Sequence, residues 1–79
     1  MKARVTVMPK DGVLDPQGEA IKHALKSLEY NTVESVRQGK VIEIILDETS
    51  EERANQSIQE MCKKLLANAV IESYEIEII

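Results

Sequence analysis

The apolar residues of this chain change their period along its length, and that switching limits the fold more than any single motif does. From Lys2 to Met8, Ala3, Val5 and Val7 alternate with Lys2, Arg4 and Thr6, the period of a strand with one buried face. After Asp15, the residues Ile21, Ala24, Leu25 and Leu28 recur at helical spacing, which predicts an amphipathic helix. Thr32–Gln38 and Val41–Leu46 are rich in β-branched or apolar residues. With Arg37-Gln38-Gly39-Lys40 between them they predict an antiparallel hairpin. Thr49-Ser50-Glu51-Glu52 reads as a capping box opening a second helix, with Ala54, Ile58, Met61, Cys62 and Leu65 as its buried stripe and Asn68 as its C-cap. The tail alternates again: Tyr74, Ile76 and Ile78 face one way, Glu75 and Glu77 the other.

The order is therefore β-α-β-β-α-β. Right-handed crossovers then give an α+β, ferredoxin-like arrangement, a four-stranded antiparallel sheet with two helices on one face. A chain of 79 residues is expected to form a single domain, residues 1–79. This layout leaves one sheet face bare. In the third predicted strand Ile42, Ile44 and Leu46 form one face, yet Val41 and Ile45 on the other are apolar too, which predicts a homo-oligomer, most simply a dimer.

Ten Lys and Arg against fourteen Asp and Glu give a net charge of -4, with the basic residues scattered among acids. There is no Trp or Phe, so both a phosphate-binding stripe and a base-stacking platform are missing, and nucleic acid is not an expected partner. One cysteine cannot form an internal disulfide, and no apolar run approaches the length of a membrane span, so a cytoplasmic protein with no membrane partner is expected. No phosphate-binding glycine loop, C-x-x-C or H-E-x-x-H occurs. His23 lies roughly opposite Ile21 on its helix and reads as an exposed surface histidine; Cys62 falls on an apolar stripe and reads as a buried, inert thiol. No catalytic residue, metal ligand or cofactor-binding residue follows from the pattern.

Asp15-Pro16 is well explained as a helix start, since Asp is a favoured N-cap and Pro a favoured first helical residue. Gly18 is not, because glycine costs about 1 kcal/mol relative to alanine in a helix interior. Its missing side chain suits close approach by another backbone or a ligand.

Gly12-Val13-Leu14-Asp15-Pro16-Gln17-Gly18 after the first strand, Ser35-Val36-Arg37-Gln38-Gly39-Lys40 in the hairpin and Cys62-Lys63-Lys64-Leu65-Leu66-Ala67-Asn68-Ala69-Val70-Ile71-Glu72 before the last strand resemble the small S subunit family of phosphoribosylformylglycinamidine synthase. The likeness runs the whole length of the chain. Ala69 stands where that family commonly has proline, a change a loop backbone tolerates. The resemblance implies a non-catalytic accessory subunit of a ligase complex in purine biosynthesis. In that family the small subunit, as a dimer, bridges a glutaminase subunit and a large synthetase subunit, and the ATP and magnesium belong to the synthetase. It also marks Gly12, Asp15, Pro16, Gln17, Gly18, Arg37, Gly39 and Lys40 as candidate partner contacts.

The alternative from another class is a small amino-acid-binding regulatory domain, which shares the element order and often binds its ligand near the first strand-helix loop. A small phosphatase on the same fold finds no positioned basic and polar pair here.

Overall fold

The computed structural model describes all residues, Met1–Ile79. Strand β1 (Lys2–Pro9) is central, with β2 (Lys40–Ile45) and β3 (Glu72–Ile78) antiparallel on either side. Register follows the alternation: Val5 stands opposite Ile42 on one side and Ile76 on the other, and Ala3 opposite Ile44 and Ile78. Ala3, Val5 and Val7 are wholly buried, which is why a strand flanked on both edges carries the smallest and most regular apolar set. Helix α2 (Glu51–Met61) lies on this face, and its Ala54 and Ile58 are buried with Cys62 just beyond. Complete burial of a residue such as Val5 or Ile58 contributes about 1.5–3 kcal/mol.

Several expectations shift by small, explicable amounts. The second helix is capped by Ser50, not Thr49: the Ser50 hydroxyl accepts from Arg53 N at 3.3 Å, while Glu48 reaches forward to accept from Thr49 N and Ser50 N. Those two bonds hold the Glu48 carboxyl below its ordinary pKa, the one from Ser50 N first. The helix ends in a π-helical turn, Cys62–Leu66, closed by Ala67 N donating to Cys62 O at 3.1 Å. The wider turn inserts one residue, so Leu66 and Ala67 turn toward the core and Leu65, expected inside, is 83% exposed. Asn68 lies past the helix and organises the next turn: its side chain accepts from Val70 N and its carbonyl from Ile71 N and Glu72 N.

The larger departure concerns the first helix and the missing strand. Helix α1 (Pro16–Ser27) forms where expected, but it makes no extensive packing with the sheet or with α2. Thr32–Gly39 is not a strand and forms no hairpin with β2, so the sheet has three strands and one helix on its face, not four strands and two helices. The reason lies at Asp15, Gly18 and Gly39, described below, which hold Val36–Gly39 across the start of α1 and the end of β1. The result is elongated, 50 × 23 × 15 Å, with a radius of gyration of 16.0 Å, where a compact chain of this length has about 12 Å. On the outer sheet face Val41 and Ile45 are exposed, as the sequence indicates. Between them Glu43 binds Lys2 at 2.9 Å and Arg4 at 3.4 Å, so the face is charged along its middle.

Helix α1 ends in a Schellman motif: Tyr30 N donates to Leu25 O and Glu29 N to Lys26 O, with Glu29 left-handed at φ 72°. A residue with a Cβ costs about 1–2 kcal/mol there. Glu29→Gly is expected to raise the thermal midpoint by about 4 °C or more, read by circular dichroism at fixed protein concentration.

Candidate functional site

The residues singled out from the sequence converge on one corner, where the β1–α1 loop meets the segment entering β2. Lys10–Val13 is a tight turn closed by Val13 N donating to Lys10 O at 3.2 Å, with Gly12 at φ 80°, a conformation that favours glycine. Asp15 then caps α1: one carboxylate oxygen accepts from Gly18 N at 3.1 Å. The other accepts from Gln38 N at 2.8 Å, so one side chain starts the helix and anchors the returning chain. Gln38 Nε2 donates to Gln17 Oε1 at 2.7 Å, and the Arg37 guanidinium donates to Pro9 O at 3.2 Å and to Asp11 at 3.1 Å.

Two glycines make the crossing possible. A Cβ on Gly18 would collide with the carbonyl oxygen of Val36 and with the Asp15 carboxylate; one on Gly39 would collide with Val7 O and the Met8 sulfur. Gly18 thus admits another backbone, as its place in the helix suggested, but that backbone belongs to the same chain. Asp15, Gln17, Gly18, Arg37 and Gly39 form one fastened unit, while Gly12, Pro16 and Lys40 present exposed surface beside it.

Around this unit lie two open clefts of about 240 and 430 Å³, both bordered by Val13, Leu14 and Asp15. Leu14 stands between them and is 78% exposed. A short link joins this corner to the loop before β3, since Lys10 N donates to Ile71 O at 2.8 Å and Lys10 Nζ to Ala69 O at 2.7 Å. Leu14, inside the Gly12–Gly18 segment, is exposed here, as are Val70 and Ile71, which lie outside the segments singled out from the sequence. A leucine flanked by Gly12 and Asp15-Pro16 in a turn was the available signal, because turn chemistry does not call for it.

Bonds from Gln38 N, then Gly18 N, keep the Asp15 carboxyl below its ordinary pKa, the wrong direction for a group that must exchange protons near neutrality. No group of three or more His, Cys, Asp or Glu side chains converges as a metal site. His23 is exposed; Cys62 is buried, and burial raises its thiol pKa, so it is not an activated nucleophile. No helix is long and apolar enough to cross a membrane.

The pattern that defines PurS, described as phosphoribosylformylglycinamidine (FGAM) synthase, matches residues 2–79. The chain belongs to the PurS family. It is a subunit of phosphoribosylformylglycinamidine synthase, a ligase complex of purine biosynthesis, which decides against the amino-acid-binding alternative. The PurS subunit of Methanocaldococcus jannaschii is 47% identical over 77 residues, 98% of this chain and 93% of its own length. A crystal form of PurS from Bacillus subtilis superposes with a TM-score of 0.85 at 50% identity, over 96% of this chain and 94% of that one. A chain in the structure of PurLQS from Thermotoga maritima does so with a TM-score of 0.83 at 32% identity, over 96% and 93%.

Two outcomes are expected at this PurS corner. Gly18→Ala lowers the melting temperature, although alanine favours a free helix by about 1 kcal/mol, because its methyl group must displace Val36. A lowered Asp15 pKa means that its stabilisation is complete above the ordinary carboxylate pKa and is lost as pH falls through the lower folded value. Asp15→Asn therefore melts lower at neutral pH and loses less stability than the parent on acidification, as melts from pH 7 down to about 3 would record.

Proposed function

We propose that this PurS-family subunit is the non-catalytic bridge of its complex, holding a glutaminase subunit against an ATP-dependent synthetase subunit. Ammonia released from glutamine then reaches the site where formylglycinamide ribonucleotide becomes the amidine. The observation that carries this reading is the likeness to a chain of the Thermotoga maritima PurLQS structure. Ammonia must pass between sites without being protonated or lost to water, so fixing two active sites against each other is itself a rate effect.

In this reading the chain binds no cofactor; ATP and magnesium are held by the synthetase. The subunit self-associates, works in the cytoplasm and meets its partners through the exposed surface around Gly12, Leu14, Pro16, Gln17, Arg37 and Lys40. Asp15, Gly18 and Gly39 act from beneath by holding that surface in shape.

Reconstitution tests it. Glutamine-driven amidine formation by the other two subunits is expected to depend on this chain, while the reaction supplied with free ammonia depends on it little. The double variant Leu14→Glu, Lys40→Glu, both sites exposed, is expected to fold as the parent does and to lower glutamine-driven activity at least tenfold at limiting subunit concentration. If the chain changes neither rate, the bridging role fails; if only the variant matches the parent, the bridge uses another surface.

A further inference from the structure

The turn that leads out of β1 reads Lys10-Asp11-Gly12-Val13, and its surroundings leave the Asp11 side chain free to meet the backbone that follows it. The Asp11 side chain is 97% exposed, and Gly12 has open space where a side chain would stand. Neither residue belongs to a helix or strand. Gly12 N donates a hydrogen bond to no other backbone group, so nothing in the fold commits that nitrogen. Two bonds restrain the turn: Val13 N to Lys10 O at 3.2 Å, and the Arg37 guanidinium to Asp11 at 3.1 Å. An exposed ion pair is a weak tether, and exposed turns of this kind open locally at little cost in free energy.

These are the conditions under which a backbone nitrogen attacks the side-chain carboxyl of the residue before it. An amide nitrogen is a poor nucleophile, so the rate depends on how freely the two atoms come together. A side chain on the second residue obstructs that approach; glycine does not, and it widens the rotations open to the chain.

The other Asp and Asn residues each lack one of these conditions. Asp15 has one oxygen bonded to Gly18 N and the other to Gln38 N, and Pro16 after it carries no N–H. Asn31 precedes β-branched Thr32, and Asp47 precedes Glu48. Asn55 lies inside α2, and Asn68 uses its side-chain oxygen to accept from Val70 N.

We propose that Asp11-Gly12 is a site of spontaneous covalent modification in the folded protein. Gly12 N attacks the side-chain carboxyl carbon of Asp11. The N–C bond forms as the hydroxyl leaves with the amide proton as water, and a succinimide ring results. Water then adds to either ring carbonyl. Addition at the former side-chain carbonyl restores aspartate; addition at the main-chain carbonyl leaves isoaspartate, whose chain runs through the side chain. The step needs no oxidant or reductant, and water is its only co-reactant. In the product the Lys10–Val13 turn holds one more backbone atom, and the carboxylate facing Arg37 sits directly on Cα. The surface beside Leu14 therefore changes with the age of the chain, whichever partner that surface meets.

The experiment holds the folded parent and the Asp11→Asn variant at neutral pH for weeks, well below their melting temperatures, with circular dichroism to show that both stay folded. Pepsin digestion in acid and electron-transfer fragmentation then locate isoaspartate, and a repair methyltransferase with a labelled methyl donor counts it independently. The expected result for the parent is isoaspartate at residue 11 at least about tenfold above that at Asn31, Asp47 or Asn68. Asp11→Asn reaches the same succinimide with ammonia leaving in place of water, and is expected to do so at least about tenfold faster. An even spread of isoaspartate over the four positions overturns the proposal. So does a residue 11 that stays intact in both folded chains while a synthetic peptide of Lys10–Leu14 isomerises, since the turn and Arg37 would then hold the reacting atoms apart.

Discussion

One carboxylate holds the shape of this molecule. Asp15 caps α1 through Gly18 N and, through its second oxygen, fastens Gln38 N of the returning chain. A charged acceptor serving two backbone donors is stronger than a neutral one, and here the two donors come from segments that would otherwise be free to separate. Gly18 and Gly39 remove the side chains that would keep the two backbones apart, and Arg37 closes the outer side through Pro9 and Asp11. The direction of α1, the exposure of Leu14 and the absence of a β2 hairpin all follow from that knot.

The knot also separates two demands that small domains usually meet together. The core of Ala3, Val5, Val7, Ile58, Cys62 and Ala67 is tightly buried yet small, and it belongs to the sheet and α2 alone. The apolar residues of α1 add nothing to it. A domain of this size has little surplus apolar surface, and α1, held off its own sheet, leaves its share of it in water.

Recognition and catalysis make different demands on side chains. The perturbed carboxyls, Asp15, Glu43 and Glu48, are all lowered by hydrogen bonds to backbone groups or to Lys2, so all are fixed anions in structural roles. A proton-transfer site requires the opposite perturbation, toward neutrality. What the corner displays instead is shape, with Leu14 projecting from a turn made rigid beneath it.

Local order was legible from residue spacing alone. The β1 and β3 alternations, the Asp15-Pro16 start of α1 and the buried face of α2 were each readable from a few neighbouring residues, because period and capping depend on short-range geometry. The small slips, Ser50 for Thr49 and the outward Leu65, arise where one hydrogen bond or one extra residue in a turn decides between adjacent registers. The family was legible too, in motifs that converge on one corner of the fold. Only the tertiary structure decided where α1 goes and whether Thr32–Gln38 pairs with β2. The reason is physical: an amphipathic helix and a β-branched segment record that an apolar face and a ladder are available, but not where the chain turns them. That choice was made at Asp15, Gly18 and Gly39, by contacts between residues roughly twenty to thirty positions apart in the chain that no local period encodes.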